Sequence, residues 1–135
     1  MAARTAIVRA VEIVRGNDQA RNGETLTATK VALVSIDNGS AGTVIGGTDT
    51  LDCDLSAAIS AVVRNGRTVA VRGACVAGPA HVSGTAYAAT HSLSSNTISL
   101  TPKSASDWST NATLPVGPVS ANDRPFMIAV CYSES

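Results

Sequence analysis

The 135-residue sequence predicts a mainly β fold: a single-domain sandwich or barrel, with one short helix at about residues 55–64. Three observations lead there. Short segments of alternating or β-branched apolar residues recur along the chain. Asn22-Gly23, Asn38-Gly39 and Asn65-Gly66 each offer the positive φ that a tight turn needs. No repeat of fixed period and no heptad pattern is present, which sets aside solenoids and coiled coils. The length suits one real core and is too short for two comfortable ones. That core is built from small pieces, because the 44% hydrophobic content is mostly Ala and Val and aromatics make up only 3%. Burial stabilises by about 25 cal/mol per Å² of apolar area, so a core without large rings gains less per residue. Subunit association is one way to recover the difference.

In chain order, residues 4–15 admit two conformations. An amphipathic helix would place Ala3, Ile7, Ala10, Val11 and Val14 opposite Arg4, Arg9, Glu12 and Arg15. The β-branched Thr5, Ile7, Val8, Val11, Ile13 and Val14, followed by the turn residues Gly16-Asn17-Asp18, favour a strand. Residues 24–36 alternate, with threonines on one face in the first half and apolar side chains on both faces in the second, as in a strand that enters the interior. Asp37-Asn38-Gly39 ends it, and residues 40–50 read as a loop with one short strand at 43–45.

Leu51, Cys53 and Leu55 alternate with Asp52 and Asp54, as in a half-buried strand. The run over residues 54–73 is the spine of the domain and is open to two conformations over its first half. Either Asp54 caps a helix with Leu55, Ile59 and Val62 or Val63 on its buried side, Arg64 near its C-terminus and Gly66 as its left-handed stop, or residues 61–71 form a hairpin around Asn65-Gly66. The Ser/Ala-rich composition and the Asp cap favour the helix. A strand over 68–76, with Gly73 as a possible bulge, closes at Pro79. Strands over 83–93 and 96–101 follow, the second with Ile98 and Leu100 facing away from Thr97, Ser99 and Thr101. Residues 102–125 hold four of the five prolines and the only tryptophan, without periodicity, and read as an extended loop or arm. Residues 126–132 read as a central strand.

Ten basic and ten acidic residues balance to zero with no Lys/Arg run, which argues against nucleic-acid or anionic-membrane partners. The segment at residues 1–16 is interrupted by charges, and no window approaches the ~18 apolar residues of a membrane span. A soluble protein without a signal peptide, made in a cytoplasm, is expected. Three widely spaced cysteines, Cys53, Cys75 and Cys131, fit neither a disulfide framework nor a CxxC motif and read as free and buried.

Chemistry-bearing residues are sparse. His81 and His91 are the only imidazoles, and Cys75 paired with one of them is the only nucleophilic arrangement on offer. No diagnostic spacing surrounds either histidine, so no enzyme, metal or cofactor is expected. Asp49, Asp52 and Asp54 lack the glycine and the glutamate of an EF-hand loop and read as a turn and a helix cap, with a non-EF cation site as the alternative. Residues 39–47 match neither a nucleophile elbow nor a phosphate loop. Trp108, in a polar, proline-flanked stretch, plugs its own core, anchors a partner, or stacks on a sugar.

An apolar segment followed by Arg21-Asn22-Gly23-Glu24-Thr25-Leu26 resembles the small β-rich accessory proteins of tailed bacteriophage virions, where a G-[DE]-T-L turn often follows the first strand. The Ala/Thr/Val/Gly-rich, aromatic-poor composition and the proline-rich stretch before a last apolar strand are similar too. The resemblance implies a capsid decoration (cement) protein in the virion, a trimer at capsid three-fold positions or a set of copies bridging capsomers, that clamps major capsid protein subunits without catalysis. The contacts expected are the loop around Trp108, Leu114, Pro115 and Pro118, and then the segment bearing Arg4 and Arg9. A tail-tube, head–tail connector or receptor-binding piece is the alternative in the same setting, and a carbohydrate-binding module the alternative outside it.

Overall fold

Alternation decides which side of each strand is buried. In the segment that ends the chain, Phe126, Ile128, Val130 and Tyr132 are fully buried, and Met127, Ala129, Cys131 and Ser133 between them are not. The computed structural model describes residues 3–15, 30–38, 49–63, 68–115 and 121–134. Within these, the order is β1 (Ala3–Thr5), β2 (Ile7–Arg15), β3 (Lys30–Asp37), β4 (Thr50–Asp54), α1 (Leu55–Ser60), β5 (Val69–Gly78), β6 (Ala80–Val82), β7 (Thr85–Ser94), β8 (Thr97–Ser104) and β9 (Phe126–Glu134). They form a five-stranded sheet, β1-β4-β8-β7-β6, and a four-stranded sheet, β2-β3-β9-β5. The fold is mainly β, as expected, with 68% of the described residues in strand conformation and 6% in helix. One core cluster joins the sheets, with Leu51, Ile98 and Leu100 from the first and Val34, Ile36 and Ile128 from the second.

Residues 3–15 are extended, so the amphipathic helix is not formed, but they make two strands rather than one. Ala6 is buried and donates its N–H to the Asp52 carbonyl at 2.8 Å, and there the chain leaves β4 in one sheet to pair with β3 in the other. Residues 24–29 and 43–45, expected as strand, lie outside the described residues.

Asp54 caps α1 as expected: its φ of −78° and ψ of 100° are extended, and its Oδ1 accepts from the Ala57 N–H at 3.2 Å and the Ser56 hydroxyl at 2.8 Å. Leu55, Ala58 and Ile59 are buried. The helix ends at Ser60, short of the expected residue 64. The Val62 N–H bonds Ile59 O at 3.0 Å, tightening the turn to i→i−3 spacing, and Val62 is left 50% exposed. Residues 61–63 form a turn, not the strand of a hairpin, and Asn65-Gly66 is outside the described residues.

β5 carries the expected bulge, its register with β9 shifting between Val71 and Gly73. A second shift falls between Val76 and Gly78. A Cβ on Gly78 would stand 3.2 Å from the Met127 Cβ, so a larger residue there would push the two strands a few tenths of an ångström apart. Pro79 then ends β5 as expected, and the chain crosses to β6, a three-residue strand that periodicity does not reveal. Ser83 (φ 51°) and Gly84 (φ 84°) link β6 to β7 with both central residues at positive φ, the geometry of a two-residue hairpin loop. β8 continues through Pro102, which is buried opposite Ala89. Its pairing with β4 stops at Leu100, so the missing N–H breaks no ladder bond on that side.

The turn between β7 and β8 holds the two sheets together. The Asn96 carbonyl accepts from the Leu55 N–H at 2.8 Å, and its side-chain Oδ1 accepts from the Val71 N–H at 3.0 Å. One residue thus ties the start of α1 and the β5 bulge to the five-stranded sheet. Asn96→Ala leaves a half-buried Val71 N–H without its acceptor, which costs about 1–3 kcal/mol. Urea unfolding is expected to show that loss, with Asn96→Asp, which keeps an acceptor oxygen, losing less.

Candidate partner interface

The stretch expected as an arm is tied down along its described length. Ser104 N donates to Thr110 O at 2.7 Å, Ala112 N to Pro102 O at 3.2 Å, and the Lys103 ammonium to the Asn111 amide oxygen. Leu114 is 1% exposed, and its carbonyl accepts from buried Asn38 Nδ2 at 3.2 Å. At the far end Arg124 bridges His81. Ser104 Oγ accepts from Ser106 N, and Asp107 from the backbone that follows it, so the polar composition that reads as a solvated arm builds a closed turn.

Trp108 stands on that turn with 54% of its surface exposed. Its N–H bonds Ser104 O at 2.9 Å, and its φ of 61° is left-handed, a conformation that costs a non-glycine residue about 1–2 kcal/mol. Asp107 holds the turn: Oδ1 accepts from Ser109 N at 3.0 Å and Thr110 N at 2.9 Å, and Oδ2 accepts the Thr110 hydroxyl. These bonds, that of the Thr110 hydroxyl first, hold the carboxyl down from 3.8 to about 2. The Asp-x-Ser-Thr order at residues 107–110 is the sequence signal that could have identified the turn.

The other expected contact residues fare differently. Leu114 is a core residue, not a contact, because Asn38 draws it inward. Pro115 is half-buried and Pro118 lies outside the described residues, as does the Asn22 to Leu26 motif. Arg4 and Arg9 fall in different sheets, on β1 and β2, so the split at Ala6 breaks up the expected arginine segment. Arg9 Nε pairs with Asp37 Oδ2 at 2.5 Å, which raises the guanidinium's pKa. Phe126 and Tyr132 are fully buried and Tyr87 packs against the core, so Trp108 is the one ring that is mostly exposed. This removes the clustered aromatics that a sugar platform uses.

Only Cys53 is buried, correcting the expectation for Cys75 and Cys131. Both of the latter take outward positions, Cys75 between Ala74 and Val76, which pack on the core, and Cys131 between buried Val130 and Tyr132. Burial, and secondarily Asp54, pushes the Cys53 thiol up to about 11. His91 is exposed on β7, in the other sheet from Cys75. Among the described residues, no group of three or more His, Cys, Asp or Glu side chains could hold a metal ion, and no helix is long and apolar enough to cross a membrane. Asp52 instead accepts the Thr50 hydroxyl at 2.9 Å.

His81 lines a cleft at the corner where the chain crosses between sheets, together with Ser35, Pro79, Asn122, Arg124 and Met127. Cys75 is not part of it, so the cleft brings no thiol to the imidazole. No family model matches the sequence, and no curated protein or solved structure is significantly similar to it.

Two outcomes follow from this geometry. Because Asp107 titrates below its ordinary value when folded, its contribution to the turn is complete above 3.8 and is lost as the pH falls through about 2. The Ser109 amide shift is expected to titrate with a midpoint near 2, and Asp107→Asn to remove that inflection. Iodoacetamide at pH 8 is expected to alkylate Cys75 and Cys131 in the native protein and Cys53 only after unfolding, read as two and then three adducts by mass spectrometry.

Proposed function

We propose that the protein is a structural virion component, a capsid decoration protein that binds across neighbouring capsid subunits as a homo-oligomer. The observation that carries this is Trp108, an exposed ring on a turn closed by its own hydrogen bonds, in a backbone conformation that costs energy. Fixing the ring in advance lowers the entropy lost on docking, and tryptophan is enriched among the residues that dominate interface energetics. The neutral net charge suits dense packing of many copies on one shell. The mechanism is added area: each copy contributes contacts between subunits that the bare shell lacks, so internal pressure is resisted by more surface.

Purified protein mixed with shells prepared without it is expected to co-sediment and to raise the temperature at which the shells fail. Trp108→Ala is expected to weaken binding at least tenfold while leaving the unfolding midpoint of the free protein unchanged, since the ring lies outside the core. Absence of co-sedimentation by the unaltered protein would refute the proposal.

A further inference from the structure

We propose that Cys75 and Cys131 form a two-thiolate site for copper(I) on the outer face of the four-stranded sheet. The register brings them together. Gly73 stands opposite Cys131 and Cys75 opposite Ala129, with no shift between the two pairs, so the cysteines are diagonal neighbours on adjacent strands. Both are free and exposed, on the face turned away from the core that Ala74, Val76, Val130 and Tyr132 beside them pack against. Gly73 leaves the space between them open, since a Cβ built there would meet nothing within 4 Å. Both sulfurs can turn into that space, Cys131 from across the ladder and Cys75 from along the strand.

Distance decides what the pair can hold. Diagonal neighbours in an antiparallel pair stand about 7–8 Å apart, whereas a disulfide joins Cα atoms about 4.4–6.8 Å apart. A direct S–S bond therefore needs the backbone to move, and one atom placed between the sulfurs removes that need. Two ligands are too few for zinc or calcium, and among the described residues no third His, Cys, Asp or Glu joins the pair. Copper(I) is soft, prefers thiolate, and is satisfied by two ligands in a line. Each thiol gives up its proton to solvent, and the copper(I) bis-thiolate that forms carries a single negative charge, with no change of oxidation state. Arg72 is placed to offset that charge. Its Nε donates to Ser133 Oγ at 3.1 Å, which lays the guanidinium on the same face, at the next outward position of β9 from Cys131. The other neighbours on that face, Val31, Leu33 and Ala129, are uncharged.

This site is independent of the Trp108 turn and is tested on the full chain. Under anaerobic conditions the reduced protein is expected to withdraw copper(I) from its coloured bicinchoninate complex, bleaching it up to one copper per chain. Native mass spectrometry is expected to show that copper on a single chain. Cys75→Ser and Cys131→Ser are each expected to weaken binding at least a hundredfold, while the copper-free variants keep the unfolding midpoint of the unaltered protein. Copper loading is also expected to cut the iodoacetamide adducts of the native chain from two to none, a readout that needs no variant. Failure to withdraw copper, equal affinity in either serine variant, a copper that bridges two chains, or undiminished alkylation of the loaded protein would overturn the assignment.

Discussion

The two hydrogen bonds accepted by Asn96 are the constraint on which the sandwich depends. One oxygen takes the first N–H of α1 and the other takes the N–H beside the β5 bulge, so a single turn of the five-stranded sheet fixes both the helix and the edge of the four-stranded sheet. The edge position of β5 explains the use of a side-chain acceptor. Val71 lies on the edge strand β5, next to the register shift before Gly73, and its N–H is served by an amide oxygen from outside the ladder. With the helix held there, Leu55 and Ile59 cover the core at that end.

The opposite end of β5 is closed by covalent crossings rather than by a side chain. Gly78 lets β5 approach Met127 closely before Pro79 ends the strand, and the return path through Arg124 pairs with His81 on its way to β9. Crossings are a corner solution for a small-residue core, because they tie sheets together without needing large rings between them. They also leave the cleft, since a glycine, two prolines and three alanines cannot fill the space that a corner opens. The Trp108 turn lies on a third connection, anchored by Leu114 and Asn38, so the exposed ring is set on a rigid base.

Strand positions were legible wherever one face is buried. Ile98 and Leu100 in β8, the core side of β9, the Gly73 bulge and the Asp54 cap could all be read from local pattern. The break at Ala6 could not, because the residues on either side are equally β-prone and the chain divides there only through a bond to Asp52. The burial of Leu114 was hidden for a related reason: its partner Asn38 is 76 residues away. Trp108, expected to plug its own core, anchor a partner or stack on a sugar, is exposed, and its turn reads in sequence as an arm because polar residues look alike whether they bond water or their own backbone. The corner cleft draws on β3, β5, β6, β7 and the approach to β9, a combination that only the topology assembles.

The central claim is that a rigid Trp108 turn, and not a sheet face, meets the capsid. Hydrogen–deuterium exchange of the protein free and bound to shells tests it most directly. The account predicts that binding slows exchange at Trp108, Ser109 and Asn111, whereas the buried ladder between β3 and β9 exchanges at the same rate in both states. Protection confined to the sheets, with the turn unchanged, would contradict it.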